Sequence, residues 1–325
     1  MRELNQHIRQ EVAFIRPLME EVSRVLVGQE RLINRMLIAL LADGHVLIEG
    51  VPGIAKTLAV KTLSATIDAQ FQRIQFTPDL LPSDLTGTLI FNPATADFTV
   101  KRGPIFANVI LADEINRAPA KVQSALLEAM EERQVTLGEV SYPLPSPFIV
   151  LATQNPIEQE GTYVLPEAQL DRFMLKVIVG YPSLTDERLI VERMSGQRPS
   201  PPTAVASCDA ILRARQVVNS VYIDDKVIDY ALSIVQATRK PAESGFKKLD
   251  RLIEHGASPR ATIALVRAGR ANAVINGRGF VTPDDIKSLA PDVLRHRLVL
   301  TFEALADRIT SGQIIAQILK QLEVP

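Results

Sequence analysis

One short segment restricts this chain more than any other: His45-Val-Leu-Ile-Glu-Gly50-Val-Pro-Gly53-Ile-Ala55-Lys56-Thr57-Leu-Ala-Val. Val46–Ile48 is an apolar run of strand length, Gly50–Ala55 is a Gly/Pro turn, and a helical pattern follows from Thr57. Strand, tight turn and helix in direct succession form half of a βαβ unit and commit the chain to α/β packing. The backbone N–H groups of such a turn converge with the helix N-terminus on one point and favour an anion there. A lysine at position 56 would reach the β- and γ-phosphates of a nucleotide, and the Thr57 hydroxyl would ligate Mg²⁺. The candidate phosphate-binding residues are therefore Gly50, Val51, Pro52, Gly53, Ile54, Ala55, Lys56, Thr57 and Leu58. The strict pattern places glycine before the lysine; Ala55 stands there instead, and alanine restricts φ as glycine does not.

The surrounding sequence repeats the alternation. Apolar runs at His45–Glu49, Phe71–Phe76, Asn108–Ala112, Phe148–Ala152 and Phe173–Val179 are separated by helical patterns near Thr57–Ile67, Pro119–Glu132 and Pro166–Leu170. This predicts a parallel sheet flanked by helices on both faces. Upstream, Ile8, Val12, Ile15, Met19, Val22 and Leu26 repeat at helical spacing, with a break or kink expected at Pro17. A second helix through Ile33, Leu37 and Leu40 ends at the Asp43-Gly44 turn. Two stretches interrupt the alternation: Gly87–Gly103 reads as a β-hairpin around Asn92–Thr95, and Gln134–Pro143 as another around Gly138. After Tyr181-Pro182 the strands stop. Thr185–Met194 reads as a helix, Gly196–Thr203 (GQRPSPPT) as a linker, and everything beyond as helical, with starts at Ser258-Pro259 and Thr282-Pro283. The expected organisation is an α/β domain over 1–182 that includes N-terminal helices over 1–43, a helix and linker over 183–203, and a smaller all-α C-terminal domain over 204–325. A length of 325 residues suits about two domains.

A second motif lies past the first. Asn108-Val-Ile-Leu-Ala-Asp113-Glu114 delivers two carboxylates at a strand's C-terminal end, where ligands gather in open α/β sheets. Asp113 is a candidate Mg²⁺ ligand and Glu114 a candidate base for an attacking water. The run Phe148–Ala152 leads into Thr153-Gln154-Asn155-Pro156, and the Asn155 amide could orient that water. Arg260 falls in the first turn of a helix, where a cation opposes the helix dipole unless an anion joins it. Arg172, in Asp171-Arg172-Phe173, sits at a helix–strand edge. It could reach a neighbouring subunit's γ-phosphate, or pair locally with Asp171 or Glu167. Arg117 is a weaker candidate for the same role.

Composition excludes several classes. There are 36 Lys+Arg against 37 Asp+Glu and 46% hydrophobic residues, which is not the profile of a disordered chain. The single cysteine, Cys208, excludes a disulfide framework and the usual Cys-based zinc site. His7, His45, His255 and His296 lack metal spacing and read as structural or surface residues. No apolar run approaches the roughly 20 residues that span a bilayer, and the N-terminus lacks a secretory apolar region. A reducing cytoplasm is the simplest compartment. Arg239–Arg278 carries nine Lys/Arg against three Asp/Glu, a local excess that the balanced total conceals.

GVPGIAKT, ILADEINRAPAKVQSALLEAMEE, LATQNP, LPEAQLDRF and SPRATIAL occur here in an order that resembles the AAA+ ATPases, specifically their MoxR branch. The resemblance spans roughly residues 22–320. It implies an AAA+ P-loop NTPase sheet with two β-hairpin insertions and a helical lid. It also implies ATP and Mg²⁺ as ligands, with Lys56 and Thr57 as Walker A and Asp113 and Glu114 as Walker B. Asn155 matches sensor 1, Arg172 the arginine finger and Arg260 sensor 2, while Val27 and Gly28 match the segment that lines adenine. Such proteins assemble as homo-oligomers, typically hexameric rings, with ATP at subunit interfaces and the finger acting in trans. They mature client proteins, in some cases by metal insertion, and often work with a von Willebrand factor A domain protein. The hairpin tips Asn92–Thr95 and Leu137–Val140 carry no aromatic, which favours local remodelling over threading. The alternatives are a magnesium-chelatase-like motor subunit and a nucleic-acid-acting or transcription-regulating ATPase; the chain has no zinc motif, helix-turn-helix signature or basic tail for the latter.

Overall fold

The apolar stripe of the first 26 residues forms two helices rather than one bent at proline. In the computed structural model, which describes residues 2–94, 96–156, 162–195 and 200–325, these are α1 (Arg2–Glu11) and α2 (Ile15–Val25). Pro17 falls in the first turn of α2, where its missing N–H costs nothing, so the break lies upstream of it. The chain continues through α3 (Glu30–Leu41), β1 (Val46–Glu49), α4 (Lys56–Thr66), β2 (Phe71–Gln75) and α5 (Pro82–Thr86). A hairpin of β3 (Gly87–Asn92) and β4 (Asp97–Arg102) follows, then β5 (Val109–Asp113) and α6 (Ala120–Glu132). A second hairpin, β6 (Gln134–Leu137) and β7 (Val140–Pro143), precedes β8 (Ile149–Gln154), the single-turn α7 (Glu167–Leu170) and β9 (Leu175–Ile178).

β1, β2, β5, β8 and β9 form one parallel sheet in the order β2-β5-β8-β1-β9. Side chains alternate between its two faces. Val46, Ile48, Leu111, Leu151 and Leu175 point into one buried cluster, where α3 and α4 cover them. Leu47, Ile110, Ala112, Val150 and Ala152 point into the other, under α5 and α6. Burial on both faces explains why the central strands β1, β5 and β8 read as continuous apolar runs, while the edge strand β2 carries exposed polar residues. The two hairpins form separate two-stranded sheets beside this one.

Beyond the sheet come α8 (Leu184–Ser195), α9 (Cys208–Ser220), α10 (Asp225–Arg239), β10 (Ile253–His255), α11 (Pro259–Ile275) and α12 (Pro283–Leu294). The chain closes with β11 (Val299–Leu300), α13 (Phe302–Ala306) and α14 (Ser311–Gln321). The region is not wholly helical: β10 and β11 pair antiparallel, matching Ile253 with Leu300. Part of the expected linker, 196–199, and the hairpin-tip residue 95 lie outside the described residues. The remainder of the linker is pinned. Arg24 donates to the Ser200 and Pro201 carbonyls, and Thr203 N–H donates to Glu21 Oε1 at 2.7 Å. The Arg24 guanidinium also holds the Glu21 carboxyl down at about 2.

One apolar cluster runs from Ile8 through the sheet to Leu319, so the N-terminal helices, one sheet face and the C-terminal helices share a core. A buried charge knot reinforces the join. Asp292 on α12 is wholly buried and accepts from Arg31 and Arg35 of α3, both at 2.8 Å, and from Arg295 at 2.9 Å. A buried carboxylate is tolerated only when paired in this way.

Candidate functional site

β1 leads into Gly50, whose N–H donates to Gln154 O of β8 at 3.2 Å. The loop then passes through Val51 and Pro52 to Gly53 at φ +85° and Ala55 at φ +61°. Both are left-handed. At Gly53 this is free; at Ala55 the side chain is held in a region that normally favours glycine. Lys56 and Thr57 open α4, so its N-terminal N–H groups face the loop. The Lys56 ammonium donates to Gly50 O, and burial lowers its pKa although Asp113 and Glu114 pull it up.

Asp113 and Glu114 emerge from β5, beside β8 and β2. The Thr153 hydroxyl donates to Asp113 Oδ1 at 2.6 Å and accepts the Glu114 N–H at 2.8 Å, fixing the two carboxylates relative to each other. Arg73 of β2 donates to Asp113 Oδ2 at 2.6 Å and 3.0 Å. Glu114 is itself left-handed, at φ +56°, and its Oε2 accepts from Gln75 Nε2 at 2.9 Å and Arg117 Nη1 at 3.1 Å. Asn155 is buried at the end of β8, the strand between β1 and β5. The structure thus brings Gly50–Thr57, Asp113, Glu114 and Asn155 to the C-terminal ends of three adjacent strands.

An apolar slot beside the loop is lined by Val27, Gly53, Ile54, Ala55 and Leu58, and closed by Pro182 and Ile190. Gly28 turns the chain into α3 at φ +71°, a left-handed conformation that favours glycine, and a Cβ there would lie 2.9 Å from the Asp186 carboxylate. Chain order did not suggest Pro182, Ile190 or Asp186 as neighbours of this slot.

Arg172 and Arg260 stand elsewhere. They border a cavity of about 400 Å³ that is also lined by Asp43, Gly44 and His45, the residues just before β1. The phosphate loop follows the other end of that four-residue strand, ~13 Å away at a rise of ~3.3 Å per residue. Arg172 pairs with neither Asp171 nor Glu167. It donates to Leu127 O at 2.8 Å and pairs with Glu131 at 3.2 Å. Glu131's other oxygen takes Arg260 at 2.6 Å, which offsets the unfavourable cation at the start of α11. One carboxylate thus touches both arginines. His45, at the cavity's inner wall, is buried and kept neutral by burial and by Arg133, with Nε2 donating to Met130 O and Nδ1 accepting from Val150 N–H. His296 is also buried, while His7 and His255 are exposed.

Sequence reasoning missed Arg73, Gln75, Thr153 and Glu131. The one local signal was the polarity of the strand FQRIQF, in which Gln72, Arg73 and Gln75 interrupt the apolar positions. The hairpin aromatics also need correction. Phe91 and Phe98 are cross-strand partners with ring centroids 5.3 Å apart, one pair below the tip, and are 52% and 59% exposed.

Residues 45–175 match the family described as "ATPase family associated with various cellular activities (AAA)", and residues 249–318 match the AAA lid domain. The chain is 50% identical over 305 residues to "Chaperone MoxR1" of Mycobacterium tuberculosis, covering 94% of this chain and 81% of that protein. It is 30% identical to "Protein MoxR" of Methylorubrum extorquens over 306 residues, 86% of each chain. A crystal structure of a Cytophaga hutchinsonii protein superposes with a TM-score of 0.92 at 49% identity, covering 100% of this chain and 98% of that one. With its parallel sheet, phosphate loop and helical lid, the chain belongs to the MoxR family of AAA+ ATPases, chaperone-like P-loop enzymes that bind nucleotide and hydrolyse ATP.

Proposed function

We propose that this ATPase works in a ring of like subunits, six by family resemblance, and uses hydrolysis to remodel or mature a client protein. The observation that carries the reading is the division of one catalytic set between opposite ends of β1, with the phosphate loop and carboxylates at one end and the arginine pair at the other. On this reading Arg172 and Arg260 serve a neighbour's loop rather than the loop of their own chain.

Within one subunit, Gly50–Leu58 would cradle the triphosphate, with Lys56 at its β- and γ-phosphates. Val27 and Gly28 would lie along the adenine. Thr57 and Asp113 suit Mg²⁺: both offer hard oxygens, and the Asp113 Oδ2 already holds the cationic Arg73. Mg²⁺ takes few protein ligands and, when bound, neutralises charge on the phosphate oxygens. Glu114 would take the proton of the attacking water once its carboxylate leaves Gln75 and Arg117, and the Asn155 amide would orient that water. Arg172 and Arg260 would meet the neighbour's terminal phosphate.

The exposed Phe91–Phe98 pair offers a client an apolar surface on a hairpin. A von Willebrand factor A domain partner, metal insertion into the client and a cytoplasmic setting follow from the family resemblance. Among the described residues no helix is long and apolar enough to cross a membrane. A nucleic-acid role is disfavoured because the basic stretch is largely spent internally. Lys240, Arg251 and Arg278 pair with carboxylates, and Arg239 and Arg267 donate to backbone carbonyls.

The test is Glu114→Gln. It should bind ATP yet turn over about 10²–10⁴-fold more slowly; wild-type turnover would remove Glu114 as the base. Lys56→Ala should lose nucleotide affinity, and unchanged binding would contradict the loop assignment. Affinity capture with the Glu114→Gln form and ATP then identifies the client: a chelatase subunit would select the chelatase-type alternative, and salt-sensitive DNA retention the nucleic-acid one.

A further inference from the structure

We propose that Asp171 is the positioning residue for both arginines, fixing Arg172 and Arg260 relative to each other; this rests on reading that pair as groups that serve a neighbouring subunit's phosphate. The carboxylate of Asp171 joins the two segments. Its Oδ2 accepts the Ser258 hydroxyl at 2.8 Å, and that same Ser258 Oγ accepts the Arg260 N–H at 3.1 Å as the N-cap of α11. The turn that carries Arg260 is thereby tied to the residue before Arg172. Its Oδ1 accepts Arg297 Nε at 2.6 Å.

Arg297 is only 8% exposed and straps the backbone on both sides of Arg172. Nη2 donates to Asp171 O at 3.1 Å and to Phe173 O at 2.7 Å, while Nη1 donates to Met174 O at 3.2 Å. A planar five-donor fork can span these acceptors, and an ammonium cannot. His296 adds a bond from Nε2 to Phe173 O at 2.9 Å. By contrast, the side-chain pairs of Arg172 and Arg260 with Glu131 are substantially exposed, and pairs of that kind contribute little. The buried knot, rather than Glu131, therefore sets where the two arginines stand. A misplacement of about 1 Å at a reacting group costs ~10²-fold in rate.

The experiment is turnover in mixed subunits. Asp171→Ala leaves the phosphate loop untouched, so its affinity for a fluorescent ADP analogue should stay within about twofold while turnover at saturating ATP falls ~10²-fold. Mixed with Glu114→Gln subunits, which keep the arginine pair, it should regain turnover as Arg172→Ala does in the same mixture. Ser258→Thr keeps the hydroxyl and should retain turnover, whereas Ser258→Ala should lose it; this pair carries the test if Asp171→Ala does not fold. Two outcomes overturn the positioning role and leave the reading of Arg172 standing. One is full turnover in both Asp171→Ala and Ser258→Ala. The other is a mixture that rescues Arg172→Ala but not a folded Asp171→Ala. If Arg172→Ala itself is not rescued, the reading of the pair falls and the proposal falls with it.

Discussion

Ala55 holds a left-handed backbone at φ +61° directly before the lysine of the phosphate loop. Such a conformation costs an alanine roughly 1–2 kcal/mol, against the extra chain entropy of glycine at ~0.5–1 kcal/mol. Ala55→Gly should therefore stabilise the fold by about 0.5–1 kcal/mol, read as a higher denaturant midpoint at unchanged slope; a lower midpoint would show that the alanine is not strained. The buried histidines give a pH signature of definite sign. His45 and His296 are held neutral by burial, so their folded pKa values lie below the usual 6.5. The unfolded chain then binds more protons as pH falls, and stability is lost below pH 6.5 by roughly 1.4 kcal/mol per unit for each group. Denaturation curves at pH 7.5 and 5.5 should separate accordingly, and His45→Gln should narrow the gap. At this scale the sequence was legible wherever function rides on a local pattern, as in Lys56-Thr57 and Asp113-Glu114. Glu131 and Thr153 were illegible because their roles depend on partners brought close only by folding, such as Arg260 for Glu131 and Asp113 for Thr153.

Elements were easier to read than single contacts, because periodicity and caps are local. The start of α12 was marked by Thr282-Pro283, and the structure places a capping box there. Asp285 closes that box while also accepting from Arg278 at 2.7 Å and 2.8 Å and from Asn272 at 2.7 Å. Burial raises its carboxyl, but the hydrogen bonds from Arg278 and Thr282 outweigh it and hold the group below its usual range. Removing it strands a partly buried guanidinium, so Asp285→Ala should cost about 3–5 kcal/mol by chemical denaturation. A loss below ~1 kcal/mol would mean that the cap alone mattered. The misses at this scale have physical causes. β10 and β11 have three and two residues, too few for any period. Pro17 read as a break because helix interiors exclude proline, yet a first turn accepts it. The aromatic pair was overlooked because attention fell on the hairpin tip, whereas Phe91 and Phe98 are joined one rung lower.

At the scale of the molecule, the parallel sheet with helices on both faces was legible from five apolar runs. The shared core linking both chain ends to the sheet was not, since α1 against α9 and α3 against α11 are contacts of high sequence separation. Asp292 with its three arginines belongs to the same class of tertiary facts. The separation of the phosphate loop from the arginine pair along β1 carries one more consequence, expressed as reaction order. Under the proposed division of the site between subunits, one chain is a half-enzyme and the competent species forms by encounter. Specific activity should therefore climb with protein concentration and level off once assembly saturates. Dilution alone, with ATP and salt held fixed, would act as an inhibitor, and a flat specific activity across a hundredfold dilution would show that one chain suffices.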